Sequence, residues 1–122
     1  MKMIESVFCA GCHSLEELDI SNLTELKIIG PQFCSSTTNL KTIHWPDLSF
    51  LESIGNWFLE KSGLKAIDWP STKNLNNTGR YFFNMSKVET LRLGDCPRML
   101  GTQPDFLSFA ENLTHLDLSG LI

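Results

Sequence analysis

The 122-residue sequence is poor in most of what marks an enzyme or a nucleic-acid protein. It has three histidines, one tyrosine, and ten lysines and arginines against fourteen acids, for a net charge of −4. So mild an acidic balance leaves no electrostatic footprint for nucleic acid. No run approaches the roughly 18 apolar residues of a membrane span. The opening Met1-Lys2-Met3-Ile4-Glu5-Ser6 has no apolar stretch behind it, so no signal peptide is visible. Neither G-x-G-x-x-G nor G-x-x-x-x-G-K occurs, and H-E-x-x-H and G-x-S-x-G are also missing. That removes the phosphate-cradling, zinc-protease and nucleophile-elbow readings. Four cysteines show no disulfide framework and no paired clusters of zinc-ligand spacing. What is present is 42% apolar residues, too many for a disordered segment and suited to one domain.

Those apolar residues fall in register. Leu15, Leu40, Leu64, Val88 and Leu113 are separated by 25, 24, 24 and 25 residues. Three positions on come Leu18, Ile43, Ile67, Leu91 and Leu116, and five on come Ile20, Trp45, Trp69, Leu93 and Leu118. Eight on are Leu23, Leu48, Thr72, Cys96 and Leu121; eleven on are Leu26, Leu51, Leu75 and Met99. Phe33, Phe58, Phe82 and Phe106 recur eighteen on, with Gly30, Gly55 and Gly79 three before them and Gln103 breaking that column. Self-similarity at this period is the signature of a solenoid. Four units (15–39, 40–63, 64–87, 88–112) are flanked by partial ones at 1–14 and 113–122. The expectation is an excerpt of a longer array.

Spacings of three and then two place the L-x-x-L-x-L side chains on the inner face of a short strand. One unit cannot bury that face alone, so successive units stack as an α/β repeat. The product expected is a right-handed solenoid with a parallel concave β-sheet. The second half of each unit, as in Leu51-Glu52-Ser53-Ile54-Gly55-Asn56-Trp57-Phe58, has spacings of three and four. These predict short helices or helical turns on the convex side.

Leu15-Glu16-Glu17-Leu18-Asp19-Ile20-Ser21, Leu64-Lys65-Ala66-Ile67-Asp68-Trp69-Pro70 and Leu116-Asp117-Leu118-Ser119-Gly120-Leu121 resemble leucine-rich repeats. The I-G-x-x-F phrase and Phe8-Cys9-Ala10-Gly11-Cys12-His13-Ser14-Leu15 are similar to the BspA-like branch of that family. The resemblance implies a binding scaffold that holds a protein or glycan partner on the concave sheet and its loops. It also implies bacterial surface proteins or single-celled eukaryotes as a setting.

The outward strand position, four after each starting residue, reads Asp19, His44, Asp68, Arg92 and Asp117. In an in-register parallel sheet these form one column at a spacing of about 4.8 Å. The alternating signs predict a cross-strand charge ladder. With Glu17, Thr42, Thr90 and His115 two residues earlier, the column is also a candidate binding stripe. An Asp19–His44–Asp68 catalytic set has no nucleophile beside it, and the chain is read as non-catalytic. Trp45 and Trp69, each followed by proline, are expected inside; Trp57 is expected on the convex half, partly exposed.

Cys9-Ala10-Gly11-Cys12-His13 matches the C-x-x-C-H pattern of c-type haem attachment, with Met85 or Met99 as the conceivable distal ligand. The repeat phase favours a plainer reading. Cys9 follows the repeat Phe in a slot shared with Cys34, Leu59, Phe83 and Leu107, and behaves as a small core hydrophobe. No cofactor or metal is therefore expected. Sequons at Asn22, Asn76, Asn84 and Asn112 favour an extracellular origin, diluted because Asn, Ser and Thr are turn residues anyway. A cell-surface or secreted setting fits a larger adhesin-like protein. A cytoplasmic one fits a chain that starts at Met1, as the recognition arm of a ubiquitin ligase or signalling subunit. Neither end shows a polar capping unit, so self-association through open sheet edges is expected.

Overall fold

The computed structural model describes residues 2–94, 111–117 and 119. The chain winds into a parallel-strand β-solenoid with two strand tracks per turn. The L-x-x-L-x-L segments supply β2 (Glu17–Asp19), β4 (Thr42–His44), β6 (Ala66–Trp69), β8 (Thr90–Leu93) and β9 (His115–Asp117). The other track holds β1 (Met3–Ile4), β3 (Ile28–Ile29), β5 (Ser53–Ile54) and β7 (Asn77–Thr78), paired in that order without interruption. Every ladder is parallel and joins the same slot of neighbouring turns, such as Leu18 with Ile43 and Ile67 with Leu91.

The core is a set of files running along the stack. Leu26, Leu51 and Leu75 are fully buried, as are Ile29 and Ile54, with Thr78 closing their file. The phenylalanines form the longest file: Phe8 stacks on Phe33 at 5.8 Å, Phe33 on Phe58 at 5.5 Å, and Phe58 meets Phe82 at 5.2 Å. Trp69 is buried and Trp45 half-buried, their rings edge to face at 4.8 Å. Leu116, expected inward, is 46% exposed on β9. Cys96, Met99, Gln103, Phe106, Leu107, Leu118 and Leu121 lie outside the described residues.

Among the described residues there is no α-helix, which corrects the expectation for the convex side. In its place, alternate residues take left-handed backbone: Gln32, Cys34 and Ser36 in one turn, Trp57, Leu59 and Lys61 in the next, Tyr81, Phe83 and Met85 in the third. The first turn follows with Val7, Cys9 and Gly11. A right-handed helix needs consecutive residues at negative φ, so alternation forbids it. The exchange is in hydrogen bonding. A helix satisfies its amides internally, whereas here they reach the adjacent turns in both directions. Gln32 N donates to Asn56 O at 2.8 Å, and Leu59 N donates to Phe33 O at 3.0 Å. Spacings of three and four brought apolar residues to one side of the segment, which a helix and this stacked track satisfy equally.

Left-handed backbone costs an L-residue about 1–2 kcal/mol, most for a β-branched side chain. Val7 is β-branched, sits at φ 54° and is 53% exposed, so little packing holds it there. Val7→Asn keeps the amide that donates to Pro31 O and introduces a side chain that tolerates this backbone. It is expected to raise stability by about 1 kcal/mol in urea denaturation; a loss would show that the strain is absent.

A second departure concerns the strand sheet. β2 pairs only with β4, β6 pairs with β8 and β8 with β9, but β4 and β6 form no ladder. The same two turns remain joined on the other track through β5 and β7. Trp45 and Trp69, adjacent in the file, meet edge to face across this break.

Candidate functional site

Strand alternation turns Glu17, Asp19, Thr42, His44, Asp68, Thr90, Arg92, His115 and Asp117 to solvent, and all nine are exposed. Register places Asp19 opposite His44 and Glu17 opposite Thr42 on one side of the break. On the other, Asp68 lies opposite Arg92, Arg92 opposite Asp117, and Thr90 opposite His115. The expected single column is thus two blocks, with Ala66 in the slot between Thr42 and Thr90.

Side-chain contacts tie each block. Glu17 Oε1 reaches diagonally to His44 Nε2 at 2.6 Å. Arg92 lies between two acids, with NH1 4.0 Å from Asp68 Oδ2 and Nε 3.6 Å from Asp117 Oδ2. These groups are half to three-quarters exposed, so solvent screens each pair and its contribution to stability is small. Asp19 turns from His44 to its own turn, accepting from the Ser21 hydroxyl at 2.6 Å and the Ser21 amide at 2.9 Å. Those bonds hold its carboxyl below the usual range, with His44 a minor contributor. Ser119 does the same for Asp117, helped by Arg92. A depressed carboxyl stabilises the fold above its ordinary titration range and loses that contribution as pH falls through the lowered value. With Asp19 bonded to Ser21, His44 to Glu17, and Asp68 across the break, the three do not form a catalytic relay.

The cysteines meet as a cluster. Cys9 and Cys34 occupy the same slot in adjacent turns, where Cys34 N donates to Phe8 O at 2.9 Å. The Cys9 thiol is within hydrogen-bonding reach of both Cys12 and Cys34. All three are free; Cys34 is buried, Cys9 half-buried and Cys12 exposed. Met85 sits three turns along the stack from this cluster, about 14 Å at one strand spacing per turn. It cannot share an iron with His13, and Met99 lies outside the described residues. Burial, then the neighbouring thiols, push Cys34 well up; burial and then Cys12 push Cys9 up. Thiolate content and access set alkylation rates. Iodoacetamide is therefore expected to label Cys12 first and Cys34 only on unfolding, as read by mass spectrometry. Equal native rates would contradict this packing.

The sequons divide in two. Asn22 and Asn112 are exposed, and so are Thr24 and Thr114. Asn76 is exposed but its Thr78 is buried. At the fourth, Ser86 is buried and Asn84 Nδ2 donates to Glu60 Oε2 at 3.3 Å, so the fold occupies the group a glycan would need. Trp57 is half-buried as expected, with its ring stacked on Tyr81 at 5.6 Å.

Two features escaped the sequence reading: the second strand track and the break between β4 and β6. The first had a signal in the column Ile29, Ile54 and Thr78, β-branched residues each followed by glycine. The second has no signal in the repeat register, which treats the units at Leu40 and Leu64 alike. Against known families, the BspA type leucine rich repeat region matches residues 2–119 in six copies. No curated protein and no solved structure matches the chain.

Proposed function

Because the chain belongs to the BspA-type leucine-rich-repeat family, we propose that it is a non-catalytic protein-interaction module of a surface or adhesin-like protein. Such repeats are generally scaffolds rather than enzymes. The observation that carries the reading is the exposed, register-fixed charge on β2, β4, β6, β8 and β9. Exposed ion pairs cost little to open, so a protein or glycan partner of matching polarity exchanges for Glu17–His44 or Asp68–Arg92–Asp117. Five short strands span about 20 Å, and their patch falls below the roughly 800 Å² per partner of a standard interface. One copy therefore binds weakly and relies on loops, or on further repeats acting together.

The accessible sequons at Asn22 and Asn112 favour the surface setting. Free thiols at Cys9, Cys12 and Cys34 within reach of one another favour a reducing compartment, and with it the cytosolic recognition arm. Glycan occupancy at Asn22 or Asn112 in native material decides for the surface. Unmodified protein in a cytosolic fraction decides against it. The contact surface itself is tested by the double variant Asp19→Lys with Asp68→Lys, measured against a candidate partner by calorimetry. Affinity is expected to fall about tenfold, as for two reversed rim charges. Unchanged affinity in a folded variant removes these strands from the interface.

A further inference from the structure

The break between β4 and β6 leaves a donor pair without its acceptor. On this strand track, two consecutive amides of each turn converge on one carbonyl oxygen of the turn before. Lys41 and Thr42 donate to Glu16 O at 2.8 and 3.3 Å, Glu89 and Thr90 to Lys65 O at 2.7 and 3.0 Å, and Thr114 and His115 to Glu89 O at 2.8 and 3.0 Å. The other track repeats the device at Lys27–Ile28, Glu52–Ser53 and Asn76–Asn77. By slot, Lys65 and Ala66 are the next such pair, and Lys41 O should receive them. Among the described residues it does not, and no other acceptor takes either amide.

Beside the break is a groove of about 400 Å³ lined by Lys41, Lys65 and Lys87 together with Gly63 and Ala66, while the adjoining cleft between β4 and β6, which Ala66 also lines, includes Asp68. Lys41 Nζ is held by Glu16 Oε1 at 2.9 Å at the groove's margin. Lys65 and Lys87 are exposed and form no ion pair among the described residues. At the groove's floor Gly63 lets two turns pack closely, since a Cβ there would lie 2.3 Å from Thr38 O.

We infer that this groove is an oxyanion-binding site, in which Lys65 N–H and Ala66 N–H converge on one oxygen of a sulfate or phosphate group while Lys65 and Lys87 neutralise its charge. Paired backbone amides form anion-binding concavities of this kind, and charge-assisted bonds to oxyanions are the stronger class. The ligand oxygen stands where every other turn places a carbonyl. The groove exceeds a lone ion in size, which suits a sulfate or phosphate ester of a larger molecule. This site adjoins the outward charge of the strands and goes beyond the proposed interaction surface.

The test is a proton–nitrogen correlation NMR titration of the whole chain with sodium sulfate and with sodium phosphate, against sodium chloride at matched ionic strength. Saturable downfield movement of the Lys65 and Ala66 amides with an oxyanion, and none with chloride, is expected. The Glu89 and Thr90 amides, already bonded, should stay in place and serve as the internal reference. Preference for one anion assigns the ester class. Lys65→Gln and Lys87→Gln, both exposed changes that leave the fold intact, should each weaken binding about threefold. The inference is overturned if Lys65 and Ala66 move no more than Glu89 and Thr90, if chloride acts equally, or if both variants bind as tightly as the parent.

Discussion

Phe58→Ala is expected to destabilise the solenoid by about 3–5 kcal/mol, the range for truncating a fully buried aromatic. Phe58 is the junction of the aromatic core. Its ring meets Phe33 at 5.5 Å, Trp45 at 6.1 Å, Trp69 at 5.5 Å, Phe82 at 5.2 Å and Phe83 at 5.8 Å. Those partners come from three successive turns, so truncation opens a void that no single turn can close by shifting. Folded domains have about 5–15 kcal/mol in total, and the loss is a large part of that. Phe8→Ala is the control. Phe8 lies in the same file but is 36% exposed, with a single ring neighbour at 5.8 Å. Its loss is expected to cost about 1 kcal/mol, because part of the ring is already in water. Urea denaturation of the three proteins checks the ordering, and equal costs would mean that the file is not the core.

Gly55→Ala is expected to cost about 3 kcal/mol although it adds one methyl group. A Cβ at Gly55 would lie 2.5 Å from Pro31 N and 2.7 Å from Pro31 Cα, both backbone atoms of the preceding turn. Gly79 is placed likewise, its Cβ 2.4 Å from Asn56 N, and Gly30 stands over Glu5 and Ser6 at 2.8 Å. No side chain can swing aside, so the turns must part, and Gly55 N donating to Ile29 O at 2.8 Å would lengthen with them. Gly11→Ala separates closeness from backbone conformation. Nothing lies within 4 Å of a Cβ there, but φ is +74°, so the cost should be about 1 kcal/mol from conformation alone. A Gly55→Ala cost no greater than that of Gly11→Ala would show that the turns are not packed this closely.

Much of this was legible in the sequence because a solenoid writes its core once per turn. The leucine files, the phenylalanine file and the placement of Trp45 and Trp69 inside all follow from register alone. So does the outward direction of Asp19, His44, Asp68, Arg92 and Asp117. The convex half reads as short helices or helical turns because Leu51, Ile54 and Phe58 have helical spacing in any conformation that turns every third or fourth residue inward. Left-handed backbone at Trp57, Leu59 and Lys61 has no sequence signal, since none of them is glycine or asparagine; neighbouring turns impose it through their hydrogen bonds. The groove at Lys65 and Ala66 was illegible for a related reason. It exists because a hydrogen bond is missing, and the repeat register assigns that bond to every turn alike.

The interrupted strand sheet also bears on how the array comes apart. In a stack of turns, stability is a sum of terms between neighbours, and unfolding spreads until it meets a weak one. The joint between the turns of β4 and β6 keeps its aromatic contacts and the β5–β7 ladder, but it lacks the strand ladder that welds the joints on either side. Heat or tension should therefore divide the chain here into two cooperative blocks, residues before about Gly63 melting apart from those after it. The joint where Trp45 and Trp69 meet is thus also the place where the solenoid divides.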